Sequence, residues 1–205
     1  MPPMPLSPLG RHQLDQLTLA HGLVSEQARS AMGEIARERV LDKGASLLAA
    51  GEQALHAGLV LGGVIGEFYE AADGARKAKW LARPGDVFGS LEDLVRGGPS
   101  RTSIEEILPS SVVSMPYAWL REQAVTRPQW ASFFVSLLEG LYRQKSEREY
   151  ALLMLKADRR YAWFRERFGS LESLLSQEII ASYLGITPVH LGRIKAATRR
   201  RSGSG

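Results

Sequence analysis

The run Gln177-Glu178-Ile179-Ile180-Ala181-Ser182-Tyr183-Leu184-Gly185-Ile186-Thr187-Pro188-Val189-His190-Leu191-Gly192-Arg193-Ile194-Lys195 decides how the chain reads. Ser176, just before it, is an N-cap residue, and Glu178 stands in the first turn where the helix dipole favours a carboxylate. Ile180 and Leu184 are four apart and give this helix one buried face, while the small Ala181 lets a second helix approach closely. Gly185 supplies the left-handed conformation that a sharp turn needs. Thr187 then caps a second helix with Pro188 in its first position. Ile186, Leu191 and Ile194 are expected to bury the inner side of that helix. The outer side keeps Pro188, Val189, His190, Arg193 and Lys195. The result is a tight two-helix corner with a polar, cationic outer edge.

The residues that follow strengthen the cationic character. From Arg193 to Arg201 the chain carries Arg193, Lys195, Arg199, Arg200 and Arg201 and no acid. Such a run is either a solvated basic tail or a surface for a polyanion. The chain as a whole is only mildly basic, with 26 Lys and Arg against 22 Asp and Glu, so the placement says more than the total of +4. Its 205 residues, 44% of them hydrophobic, suffice for one large domain or two small ones. There is no cysteine, which excludes disulfides, iron–sulfur clusters, thiolate zinc sites and thiol redox sensing. The N-terminal ten residues lack the charge and apolar run of a secretory signal, and no apolar run approaches the ~20 residues of a membrane span. A soluble cytoplasmic protein is expected.

Upstream of the corner, Asp158 reads as the cap of a short helix with Tyr161, Phe164 and Phe168 on one face and Gly169 as its stop. Further upstream, Thr126-Arg127-Pro128-Gln129 reads as a capping box opening a helix that runs to about Lys156. Trp130, Phe134, Leu137 and Leu141 make a near-heptad stripe on it. Gln144, Glu147 and Arg148 interrupt the stripe, and Leu152, Leu153 and Leu155 restore it. Either a second copy of the helix or the chain's own β-domain covers that stripe. From Val40 to about Tyr117 short apolar clusters alternate with glycines, the texture of antiparallel strands and turns. Ala72-Asp73-Gly74 is expected to turn a hairpin between Val64–Tyr69 and Ala78–Leu81, and Pro84-Gly85-Asp86 to turn before Val87-Phe88. Residues 11–39 read as one or two short helices, with Gly22 and Gly33 as weak points.

Taken together, these residues resemble the cyclic-AMP receptor protein/FNR (Crp/Fnr) superfamily of transcription regulators, in a short form without an obvious wing. The likeness runs from about Leu41 to Lys195. It rests on Lys43-Gly44, Gly63, Asp73-Gly74, Pro84-Gly85-Asp86-Val87-Phe88-Gly89 and, most specifically, Ile180-Ala181-Ser182-Tyr183-Leu184-Gly185-Ile186-Thr187-Pro188. The resemblance implies an α+β fold. An N-terminal antiparallel β-roll sensor would span 1–125, a dimerisation helix 126–156 and a helix-turn-helix 157–205. It also implies a bacterial, homodimeric regulator whose partners are double-stranded DNA, a second copy of itself and RNA polymerase. By resemblance Gly192-Arg193 matches the recognition-helix pattern and Arg193 contacts DNA. The DNA-binding set is then Thr187, Pro188, Val189, His190, Arg193, Lys195 and Arg199. Pro188 and Val189 stand where better-known members place an arginine and a glutamate that read bases, so the operator differs.

In relatives that bind cyclic nucleotides, an arginine followed by a small hydroxyl residue holds the phosphate and a glutamate holds the ribose. Arg101 and Thr102 match the phosphate role. Ser90 stands in the glutamate position, and Glu92 replaces it only if the loop shifts register. The effector set is thus Gly89, Ser90, Arg101, Thr102 and Ser103, for a cyclic nucleotide, a different small anion or no ligand; in the last case Arg101 pairs with Glu105 or Glu106. His12, His21, His56 and His190 are scattered, with no pair at metal-ligand spacing. A cupin-like metalloenzyme, which needs several histidines in its roll, has only His56 there. A protein-interaction module remains a third class. The reading is of a non-enzymatic DNA-binding regulator without a metal.

Overall fold

The computed structural model describes residues 2–71 and 74–202, the last two by backbone only. Two short helices open the chain, α1 (Pro8–Ala20) and α2 (Glu26–Ile35). Each begins on a serine whose hydroxyl accepts from the backbone: Ser7 from Gly10 and Ser25 from Ala28. Six strands follow: β1 (Arg37–Leu41), β2 (Ser46–Leu48), β3 (His56–Glu70), β4 (Arg76–Ala82), β5 (Val87–Phe88) and β6 (Thr102–Pro116). A short helix α3 (Leu91–Arg96) lies between β5 and β6. The strands form one antiparallel sheet in the order β1-β6-β3-β4, with β2 on β6 and β5 on β3. The hairpin turn expected at Ala72-Asp73 lies outside the described residues, but β3 and β4 pair on either side of it.

β3 and β6 are long enough to fold the sheet on itself, and their pairing shifts register at Val60/Gly62, Gly62/Val64 and Val64/Ile65. Gly63 sits in that bend at φ 79°, and a Cβ there would strike the Pro109 carbonyl and Ser110. Period-two alternation then sorts neighbours into two cores. Val60 and Val112 face the roll interior with Leu81, Phe88 and Ile104, whereas Leu59 and Val113 face the N-terminal helices with Leu14, Met32 and Phe133. Burying one such side chain stabilises by about 1.5–3 kcal/mol.

Five further helices follow among the described residues: α4 (Tyr117–Thr126), α5 (Pro128–Met154), α6 (Ala157–Phe168) and, after a 3₁₀ turn at Gly169–Leu174, α7 (Gln177–Leu184) and α8 (Pro188–Ser202). The sequence does not announce α4, whose buried side chains, Tyr117, Leu120 and Gln123, include a polar one. Its presence corrects the capping expected upstream of α5. Thr126 is the last residue of α4 and donates to the Glu122 carbonyl, while Arg127 begins α5 with no side-chain cap. Lys156, not Asp158, is the cap residue of α6, and Asp158 lies in its first turn. Gly169 does end α6, at φ 52°.

The first part of the α5 stripe, from Trp130 to Leu137, packs in the chain's own core. Trp130 is buried, edge-on to Trp119 at 5.3 Å and to Phe133 at 6.2 Å, and Phe134 and Leu137 pack beside it. The same side of α5 carries Gln144 and Arg148, which bond α6 and α7. The opposite side leaves Val135, Tyr142 and Leu153 exposed at 54%, 74% and 75%. No described helix is long and apolar enough to cross a membrane, and among the described residues no three His, Asp or Glu side chains converge as a metal site would.

Candidate nucleic-acid interface

The C-terminal helices are built around Tyr183. Its ring stacks on Trp163 at 6.2 Å, meets Phe164 and Phe168 edge-on, and touches Trp80 of β4. Ile180, Ala181, Leu184 and Leu191 are buried around it. The corner forms as its residues dictate. The Ser176 hydroxyl accepts from Ile179 N at 3.3 Å. Gly185 adopts φ 65°, ψ 38°, and Ile186 N reaches back to the Ala181 carbonyl at 3.0 Å, closing α7 in a left-handed cap. Thr187 Oγ1 accepts from His190 N at 3.2 Å and so caps α8.

Burial of this side of the corner leaves the other side of α8 open. Thr187, Pro188, Val189, His190, Arg193 and Arg199 are all exposed, Val189 at 68%. Arg193 and Arg199 make no ion pair among the described residues. Lys195 departs from expectation. It follows the buried Leu191 by four residues and so shares its face. Its ammonium pairs with Glu172 at 2.5 Å, both side chains being 16% exposed, and it lies 5.8 Å from the Tyr161 ring. Glu172 also accepts from the Tyr161 hydroxyl; burial and that carboxylate push the Tyr161 phenol up to about 12. Among the described residues no strand follows α8.

The corner is fastened to the rest of the chain away from its open edge. Ser182 Oγ accepts from Ala78 N at 2.8 Å. Arg148 of α5 donates to both the Ala78 and Tyr183 carbonyls at 3.0 Å, its guanidinium 4.5 Å over the Tyr183 ring. Arg167 of α6 donates to Asp86 at 2.9 Å and to Gln144 at 3.2 Å while lying over Trp80. Arginine suits these places because its planar fork bonds and stacks together.

The effector set matched in the roll is arranged otherwise than the resemblance implies. Arg101 is exposed and pairs with Glu92 at 3.3 Å, not with Glu105 or Glu106. Thr102 is buried, its hydroxyl shared between Glu67 at 3.2 Å and Asp93 at 3.4 Å. Ser90 and Ser100 donate to Asp93 at 2.8 and 2.7 Å, and Ser103 donates to Glu70. Burial alone would raise the Asp93 carboxyl, but Ser100, Arg96, Ser90 and the Arg101 amide hold it far below its ordinary value. Asp93 was not foreseen, although Ser90-Leu91-Glu92-Asp93 has the spacing of a capping box; here the two side chains bond each other, and neither bonds the backbone in the manner of a cap. Beside them Lys79 pairs with Glu67 at 2.9 Å; burial lowers the ammonium's pKa, but the Glu67 charge more than reverses this and the net direction is upward. The roll interior between Trp80, Gly89, Ile104 and Lys145 keeps a cavity of only about 30 Å³, against the ~300 Å³ or more typical of small-molecule sites.

No family model matches the chain, and no curated protein matches it in sequence. Solved structures do match. FixK2 from Bradyrhizobium japonicum is 22% identical over 82% of this chain and 86% of its own, with a TM-score of 0.70. The c-di-GMP-responsive global regulator CLP, which links cell-cell signalling to virulence gene expression in Xanthomonas campestris, is 12% identical over 90% and 92%, with a TM-score of 0.62. A mutant of CooA from Carboxydothermus hydrogenoformans is 17% identical over 82% and 78%, with a TM-score of 0.60. The α+β fold of roll, long helix and two-helix corner is therefore the fold of these solved structures, as the motifs imply.

Proposed function

We propose that the chain is a Crp/Fnr-type transcription regulator that binds double-stranded DNA through α8. The observation that carries this is the open edge of α8: a capped helix presents Thr187, Pro188, Val189, His190 and Arg193 on one side with Arg199 beyond, while its other side is buried. The N-terminal residues of such a helix meet base edges in a major groove, and Arg193 has the fork that binds guanine or clamps a phosphate. Lys195 acts differently in this reading, bracing α8 on Glu172.

The geometry also supports a homodimer, through the exposed side of α5, which Leu153 of the stripe shares with Val135 and Tyr142. Val135, Tyr142 and Leu153 fall seven and eleven residues apart on the outer side of α5, close to the spacing at which two copies of one helix pack. Static light scattering at micromolar concentration gives a dimer mass on this reading and a monomer mass against it. RNA polymerase is the further partner that activation would require, and a bacterial cytoplasm is the compartment this function fits.

Fluorescence anisotropy on fragments selected from genomic DNA tests the central claim. Neutralising phosphates releases counterions, so affinity must fall steeply with salt. Selection that enriches no sequence, or a flat salt dependence, counts against DNA and for a protein partner.

A further inference from the structure

Strand alternation places Arg37, Arg39 and Leu41 on one face of β1, the face that in register with Val112 and Ser114 of β6 looks into the end of the roll. An arginine facing inward is expected to find a carboxylate or carbonyls. Arg37 does, bonding the Glu34 and Ala36 carbonyls at 2.6 and 2.9 Å. Arg39 makes no hydrogen bond or ion pair among the described residues, and its Nε is shielded from solvent without a partner. Arg39 lines a cavity of about 320 Å³. Phe88 and Ile104 line this cavity and also the space of about 30 Å³ that Gly89 and Lys145 help to line, whereas Arg37, Arg39 and His56 line only the larger one. Gly58 leaves room for Phe88 there, since a Cβ at Gly58 would strike the Phe88 ring.

The lining divides by chemistry. Leu48, Phe88 and Ile104 are apolar, whereas Arg37, Arg39 and His56 bring nitrogen donors. The one acid, Glu52, is engaged in accepting from Ala49 N at 2.9 Å. The volume is at the small end of ligand sites. We propose that this cavity binds a small organic anion, with Arg39 holding its carboxylate or phosphate and Leu48, Phe88 and Ile104 packing on its apolar body. A planar guanidinium fork is suited to either anion. This site is separate from the loop carrying Arg101 and Thr102 and does not depend on α8 binding DNA.

Calorimetric titration of the full chain with benzoate, phenyl phosphate and neutral benzyl alcohol, with amide shift mapping, tests it. One or both anions are expected to bind with Kd below about 1 mM and the alcohol at least about tenfold more weakly. The shifted amides should cluster at Arg37, Arg39, His56 and Ile104. Whichever anion is preferred identifies the head group. Arg39→Gln should weaken that anion about tenfold, and Arg39→Lys less. Failure of both anions to bind, equal binding of the alcohol, shifts mapping instead to Lys79 and Lys145, or full affinity in folded Arg39→Gln would each overturn the proposal. The shift map is recorded on the unaltered chain, so it decides the matter even where a substitution prevents folding.

Discussion

The loop that carries Arg101 and Thr102 and the edge of α8 contain similar residue types, hydroxyls and arginines, yet they end in opposite states. Around Asp93 the polar groups turn on one another: Ser90, Ser100, Thr102 and Arg96 all reach one buried carboxylate. At the open edge of α8 Thr187 is spent on capping, and Arg193 is left without an ion pair among the described residues. The difference is the nearby acid. A carboxylate three residues into α3 collects the donors that a ligand would need, and the first turn of α8 has none. Donors satisfied within the chain make stability, and donors left free make a binding surface.

The largest effect expected from breaking this contrast is at Asp93. Asp93→Ala removes the buried acceptor shared by Ser90, Ser100, Arg96 and the Arg101 amide, at a cost of about 3 kcal/mol. That corresponds to a Tm lower by roughly 6–12 °C for a chain of this size, read by calorimetry with DNA affinity per folded molecule unchanged. The carboxyl's pKa is depressed in the folded state, so its contribution is complete above its ordinary value of 3.8 and is lost as pH falls below it. Asp93→Asn should therefore narrow its stability deficit as pH is lowered below about 4; a deficit constant down to acid unfolding would show that the charge contributes nothing.

Next in size, and opposite in kind, is Arg193→Ala. It is expected to weaken binding to a selected operator by about 1–3 kcal/mol while leaving Tm within about 1 °C of the parent. Equal affinity of mutant and parent in anisotropy would remove Arg193 from the interface. A large fall in Tm would instead mean that Arg193, like Arg148, holds the corner in place.

What could be read in the sequence follows the same division. Ser176, Gly185, Thr187 and Gly169 act on the backbone within a few residues of themselves, and local rules place them correctly. The strand texture, the turn before Val87 and the buried faces of α6 and α7 follow from periodicity. Local rules do not decide where a residue has two neighbours to choose between. Trp130, Phe134 and Leu137 make a good seam for a second helix, but they satisfy α4 and the N-terminal helices first, and a different row of α5 is left outside. Thr126 obeys a capping pattern but lies at the end of a helix whose polar Gln123 hides its period. Thr102 matches a phosphate-binding position, but Glu67 lies 35 residues away and enters its reach only through the β3–β6 pairing. Lys195 is the simplest case, since counting four from Leu191 puts it inside. Lys195→Met should then change operator affinity by less than about 0.5 kcal/mol, its effect falling on the hold of α8 against Glu172; a loss as large as that of Arg193→Ala would return it to the groove.

The smallest effect should come from cyclic AMP. A ligand bound to the folded chain at one hundred times its Kd adds about 2.7 kcal/mol of stability, which for this size raises Tm by roughly 5–10 °C. Such a gain requires an open pocket and free donors. Here the matched loop offers neither, since Thr102 is held by Glu67 and Asp93, Arg101 by Glu92, and the space beside Gly89 is about 30 Å³. Saturating cyclic AMP is accordingly expected to leave Tm within about 1 °C and operator affinity unchanged, because there is no differential binding to convert into stability. A rise of several degrees, abolished by Arg101→Gln, would mean that the Glu92 pair opens to admit phosphate. The two regions would then differ only in which partner their arginines meet first.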